Sequence, residues 1–349
     1  MKRNTAALLA LTATMALALS ACSSGSTPSA SGTATPGKLA LTVNIISGGS
    51  ESFSDAAVHK AIALLDAEGV QVSSSTVADP ASALRAVIAG QADIALLDPV
   101  EAIKAVANGD APVKYIGSLS QTTDYVILSL PKYSLDNLSG ATFATAGPGT
   151  AGDVIASSAL SESKVDMTKV QKVTVGGTSA RVTAILSGQV DLAPVHAADA
   201  VPAVATGKVK VLLNAGKVLG SYLQQGMIAS DTFIKDKATT QAVVNAFIDA
   251  QRWASANGDQ YIATATANKL LGSLTADQAT LAYQQLKDSK IFATNGAICA
   301  TSVTDTLTHD YQVKGGLTQA TTPDYSKWVD PTFVNAYLQA NGKDKEGFC

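Results

Sequence analysis

AVIAGQADIALLDPVEAIKAVANG, from Ala86 to Gly109, is followed at a constant offset, without a gap, by AILSGQVDLAPVHAADAVPAVATG, from Ala184 to Gly207. Gly90, Gln91, Asp93 and Ala95 of the first stretch match Gly188, Gln189, Asp191 and Ala193 of the second, and Ala107 and Gly109 match Ala205 and Gly207. Self-similarity of this kind decides an architecture. Each copy reads as helix, turn, strand, loop, helix. A helix that stops at glycine, turns through Gln-Xaa-Asp and enters a short apolar strand delivers the next loop to the strand's carboxyl end, where open α/β sheets bind their ligands. Two such units predict two lobes sharing one cleft.

The flanking sequence fits that plan. LALTVNII, residues 39–46, is an unbroken apolar run that reads as a buried parallel strand, and Ser54 to Glu68 has helical spacing that stops at Gly69. Val70 to Val77 and Asp93 to Asp98 read as strands, with a helix from Pro80 to Ala89 between them, and strands alternating with helices imply a parallel sheet. Tyr125 to Leu130 reads as the strand that ends the first lobe. A return crossing is placed near Tyr222 to Gln225, ahead of an apolar strand and a helix from Thr239 to Asn257. The expected lobes are therefore 38–130 with 225–349, and 131–224. The helical C-terminal hundred residues are expected to pack on the first lobe.

The N-terminus carries Lys2 and Arg3 before an apolar run from Ala6 to Leu19, a secretion signal too short to span a bilayer as a mature helix. It ends in Leu19-Ser20-Ala21-Cys22, small residues before a cysteine, and so resembles a bacterial lipoprotein signal. That resemblance implies cleavage after residue 21 and lipidation of Cys22; an ordinary cleaved signal is the alternative. More than one acyl chain is what makes such anchoring stable. Residues 22–37 are then a flexible tether, without charge or large apolar side chains. An exported chain can be oxidised, and the two remaining cysteines, Cys299 and Cys349, are expected to pair, with two free buried thiols as the alternative.

With a net charge of −3 and 15% charged residues, the chain has no basic stripe for a phosphate backbone, so nucleic acid is an unexpected partner. Three histidines without metal spacing, no nucleophile elbow and no phosphate loop argue against an enzyme, a metal site or a cofactor.

Candidate ligand contacts follow from the strand ends. Ser47, Ser50 and Phe53 close the first strand, with Phe53 either a lid or a packing staple for the next helix. Asp98 and His196 are equivalent positions of the two copies; Asp98 could also serve only as a cap before Pro99, and His196 could be structural. Thr122 and Asp124 precede the strand at Tyr125, and Thr178 precedes the helix leading into the second copy. In AGPGTAGD, residues 146–153, the amides of Gly149, Thr150 and Ala151 stand at a helix start and suit an oxyanion, or else form only a turn and cap. Arg181 reads as a solvated helix residue.

AGQADIAL with its partner SGQVDLAP, the segment DNLSGATFATAGPGTAGD, and the late KWVDPTFVNAYL resemble the nitrate, sulfonate and taurine solute-binding family, which also holds binders of thiamine-pyrimidine precursors. The resemblance covers most of residues 39–340. It implies a type II periplasmic-binding fold, an α/β architecture with two lobes of mostly parallel sheet joined by a two-crossover hinge, and a monomer that delivers a small solute to an ABC permease. A small polar organic solute or a sulfonate is the expected cargo. A neutral heterocycle such as a vitamin precursor, or a sensory or accessory lipoprotein of the same fold, are the alternatives.

Overall fold

The structure, a computed structural model, describes residues 41–48, 51–77, 79–313 and 317–349. The secretion signal, Cys22, the tether and Ser50 lie outside the described residues.

Ten strands form two five-stranded sheets. The first holds β1 (Leu41–Gly48), β2 (Val70–Val77), β3 (Ile94–Leu97), β4 (Val113–Ser118) and, arriving late in the chain, β10 (Gly226–Ser230), in the order β2-β1-β3-β10-β4. The second holds β5 (Tyr125–Ser129), β6 (Thr142–Thr145), β7 (Gln171–Thr174), β8 (Leu192–His196) and β9 (Lys210–Asn214), in the order β7-β6-β8-β5-β9. In each sheet the strand that has just crossed from the other one, β10 or β5, runs antiparallel to both neighbours. The remaining strands share one direction, as the alternation of strands and helices predicts.

One expectation is corrected here. Tyr125 to Leu130 does not close the first lobe: β5 pairs with β8 and β9, so the first crossing occupies residues 119–124. A fully apolar strand is buried on both faces wherever it docks, so its pattern does not name its sheet. Tyr125 and Ile127 enter one core cluster and Val126 and Leu128 the other, on opposite faces of the same strand. The return crossing spans residues 220–225 and lies against the first. Leu119 N donates to Gln225 O at 2.8 Å, Tyr222 N to Gln121 O at 3.0 Å, and the Ser120 hydroxyl accepts from the amides of Gln224 and Gln225 at 2.8 and 2.9 Å.

Both repeat copies fold alike. Gly90 and Gly188 end their helices at φ 70° and 74°, a conformation that glycine adopts without a Cβ penalty. The Gln91 amide returns to Ala86 O at 2.8 Å and the Gln189 amide to Ala184 O at 2.9 Å. Asp93 then accepts from the Asn44 amide on β1 at 2.7 Å, and Asp191 from the Thr142 amide on β6 at 2.9 Å. Each aspartate thus ties its copy to the parallel strand beside it, β1 or β6.

The C-terminal helices differ from expectation in reach. The helix Lys237–Ala256 does pack on the first lobe, burying Val243, Val244 and Phe247 in its core. The helix Ala276–Asp288, however, packs against Ala197–Ala205, and Ala300–Tyr311 packs against Ala151–Glu162, both in the second lobe. One apolar cluster therefore joins Phe53, Ala56 and Ala57 to Ala198 and Val201 through Tyr261, Leu286 and Phe292. Cys299 and Cys349 are bonded, their Cα atoms 5.8 Å apart. The chain's end is also tied to the first crossing: the Gln121 side chain donates to Glu346 O at 2.9 Å and accepts from the Phe348 amide at 2.7 Å.

Candidate ligand cleft

The carboxyl ends of β1, β3 and β8 meet over the paired crossings. There a cavity of about 220 Å³ gathers Asp55 and Asp98 from the first lobe, Tyr125, Ala151 and His196 from the second, and Asp124, Gln224 and Gln225 from the crossings. Two larger cavities, of about 510 and 550 Å³, lie elsewhere, one beside the disulfide and one under the helix Ala151–Glu162. Neither draws residues from both sheets, so neither matches the predicted shared cleft.

Asp124 is the hub of the floor. It is 1% exposed and receives hydrogen bonds from Ser54 of the first lobe at 3.1 Å and from Gln224 of the return crossing at 3.0 Å. His196 Nδ1 of the second lobe lies 2.9 Å from Asp124 Oδ1, the oxygen that also accepts from Gln224. Burial alone would raise the Asp124 carboxyl, but the His196 charge and these donors together hold it below its ordinary value. Burial likewise opposes a proton on His196, yet the Asp124 charge and hydrogen bond, with Tyr125 and Asp199, together outweigh it and lift the imidazole to about 10. At neutral pH the pair is an aspartate and an imidazolium, linking both lobes to both crossings.

Asp98 is differently placed. One oxygen caps the helix Pro99–Gly109 by accepting from Val100 N at 2.7 Å; the other is buried and has no hydrogen-bond partner among the described residues. Burial first, and then the charge of Asp310, push its carboxyl well above the ordinary range, against the pull of the Val100 amide. Asp310, 1% exposed, is raised by its own burial to about 7, and its Oδ2 and the Tyr222 hydroxyl are also buried without partners among the described residues.

Of the sequence candidates, Asp98, Asp124, Ala151 and His196 line the cavity. Others are placed elsewhere. Phe53 is 2% exposed, packed edge-on against Tyr261 at 5.4 Å, and serves as a packing residue that backs a neighbouring recess, not as a lid. Thr122 turns its hydroxyl to Ser289 O, away from the cavity, and Ser47 sits within β1 between Thr76 and Leu96. Thr178 accepts from Arg181 Nη2 at 3.0 Å.

The expected anion loop is occupied by the chain itself. The Gly149 amide donates to Asp153 Oδ2 at 3.0 Å, the Thr150 amide and hydroxyl both turn to Gly147 O, and Asp153 is paired with Lys172 at 2.6 Å. Arg181, expected on a solvated face, is 2% exposed and spends its donors on Pro194 O, Gly176 O and Thr178. Ser54, Asp55, Gln224 and Gln225 were not among the sequence candidates. The adjacent pair Gln224-Gln225, at the very place assigned to the return crossing, was the available signal: polar residues at a lobe-to-lobe crossing are positioned to meet the cleft. Among the described residues no group of three or more His, Cys, Asp or Glu could hold a metal ion, and no helix is long and apolar enough to cross a membrane.

A family model described as NMT1/THI5 like matches residues 64–261, more than half of the chain. No curated protein sequence matches. Solved structures match across both sheets. The ligand-binding component of an ABC-type import system from Staphylococcus aureus, solved with zinc bound, is 13% identical with a TM-score of 0.69 over 87% of this chain and 100% of that one. The periplasmic aliphatic sulphonate-binding protein of Escherichia coli is 19% identical, with a TM-score of 0.62 over 83% and 92%. The periplasmic nitrate-binding protein of Synechocystis PCC 6803 is 12% identical, with a TM-score of 0.65 over 86% and 89%. These likenesses bear out the two-lobed α/β periplasmic-binding fold.

Proposed function

The chain belongs to the NMT1/THI5-like family, and from that premise we propose that it is the extracytoplasmic solute-binding component of an ABC importer. It holds a small polar solute between its lobes and presents it to a membrane permease. The observation that carries this is the cavity at the strand ends of both repeat units, walled by both sheets and floored by both crossings. A site built between two lobes linked by paired crossings is the arrangement in which hinge closure sequesters a ligand. The ABC import systems named for several structural relatives support a permease partner.

The cleft reads as a binding site and not a catalytic one. Ser54 donates to Asp124 and not to His196, so serine, histidine and aspartate do not form the relay in which the imidazole takes the hydroxyl proton. We further read the chain as a monomer anchored to the outer face of the cell membrane through lipid on Cys22, on the strength of the signal sequence. Metabolic labelling with a fatty-acid analogue checks the anchor: label on the wild type and none on Cys22→Ser is the expected result.

Solute capture is tested by a melting-temperature screen of the purified chain against nitrate, sulfonates, small carboxylates, amines, amino acids and nitrogen heterocycles. A ligand that binds only the folded state raises the transition. The expected result is a rise confined to one chemical class and weakened by His196→Gln. A screen in which no compound shifts the transition would stand against solute capture.

A further inference from the structure

Sulphonate and nitrate are the cargoes named for two of the structural relatives, and both are oxyanions. Two of the devices that would hold an oxyanion here are already engaged. The sole arginine of the second lobe, Arg181, is buried among carbonyl acceptors, and the Gly149 amide is filled by the Asp153 carboxylate, itself neutralised by Lys172. Among the described residues no lysine or arginine lines the cavity; Lys269 stands in the adjoining recess. Against a single imidazolium, which Asp124 already balances, the lining presents Asp55 and Asp98 as well.

Those two carboxyl groups have capacity to spare. Asp55 accepts from the Ser52 amide at 2.7 Å and its hydroxyl at 3.0 Å through one oxygen, leaving the other without a hydrogen bond among the described residues. Among the described residues Asp98 Oδ2 has no hydrogen-bond partner, nor do the buried Tyr222 hydroxyl and Asp310 Oδ2, which lie close enough for their charges to act on one another. An oxyanion placed here would meet the carboxyl oxygens of Asp55 and Asp98. A donor group would satisfy them.

We propose that the solute presents a cationic nitrogen group, a protonated amine or an amidine, to the Asp55 and Asp98 wall of the cleft. This rests on the reading that the cleft captures a solute. A cation beside the Asp98 carboxyl favours its charged form, against the burial and the Asp310 charge that raise it. The groups facing Asp98 are Asp310, Tyr222, Tyr115, and Glu101 and Lys104 of its own helix; only Lys104 among them is cationic, so most of the surroundings favour an added positive charge.

The test compares two arms at equal ionic strength, measuring the melting temperature of the purified chain with ethanolamine, putrescine, agmatine or benzamidine, and with nitrate, methanesulfonate or acetate. At least one cation is expected to raise the transition by a few degrees and no anion to do so. The double variant Asp55→Asn, Asp98→Asn, which keeps shape and the helix cap, should weaken the responding cation at least tenfold by calorimetry while circular dichroism stays unchanged. A rise with any anion, alone or beside a cation, overturns the proposal and leaves solute capture standing. Silence in both arms overturns the proposal, and silence across the wider screen as well removes the solute-binding reading with it.

Discussion

The copy from Ala86 to Gly109 and the copy from Ala184 to Gly207 share their framework and part company where they reach the cleft. Both stop a helix at a left-handed glycine, both fold the following amide back, and both clamp the neighbouring parallel strand with the same aspartate. At the end of the strand one presents Asp98, a cap whose carboxyl is pushed up by burial beside another buried acid, and the other presents His196, an imidazolium held by Asp124. The duplicated residues serve the scaffold, and the equivalent position that diverged lines the cavity.

The largest expected effect separates the copies outright. His196→Ala leaves Asp124 buried without its opposing charge and is expected to lower stability by about 3 kcal/mol. Asp98→Asn instead removes a charge-burial penalty and should leave stability unchanged or raised. Denaturant titration of both variants checks this, and losses of equal size would erase the distinction.

The next effect is pH. Asp310 stands behind Asp98 with a native value of about 7, above its unfolded one, so the native state binds the extra proton. The stability this contributes is fully present below about pH 4 and is lost as pH rises through 7, a decline of about 2 kcal/mol between pH 5 and 7 from this group. Asp310→Asn should flatten that stretch of the stability curve. His196 is raised too, so its contribution is present below its unfolded value near 6.5 and fades only as pH rises through about 10. Urea midpoints across pH 5 to 10 distinguish the two sides of the cleft.

Two smaller effects should be the same for both copies. Asp93→Ala and Asp191→Ala each remove hydrogen bonds to a charged acceptor and are expected to lose about 2 kcal/mol, within 1 kcal/mol of each other. Gly90→Ala and Gly188→Ala are expected to lose about 1 kcal/mol each, from backbone conformation alone, since an added Cβ meets nothing within 4 Å at either site. Unequal losses within either pair, read from thermal melts, would show that the framework is not shared.

The sequence made the repeat legible because glycine, glutamine and aspartate have fixed jobs in a helix-turn-strand unit, and that placed Asp98 and His196 correctly at the strand ends. It did not show which sheet receives Tyr125 to Ser129, since double-sided burial carries no address. Nor did it show that Gly149 would be spoken for, although Asp153, in the first turn of the same helix, was there to be read as the competing anion. Thr122 and Asp124 looked alike as polar residues of one crossing; only packing turns one toward Ser289 and the other toward His196. The C-terminal helices have ordinary amphipathic faces, and nothing in such a face says that it will bridge two lobes.

The central claim, that a solute is held between the lobes, is tested most directly by an interlobe distance. Spin labels at Ile88→Cys and Val204→Cys, both exposed and one in each lobe, can be introduced into a chain lacking Cys22 and measured with and without a solute that raises the melting temperature. The account predicts that saturating solute shifts the distance distribution and narrows it, and that His196→Gln requires more solute for the same change. A distribution left unaltered by a saturating, stabilising solute would contradict capture by closure of the two lobes.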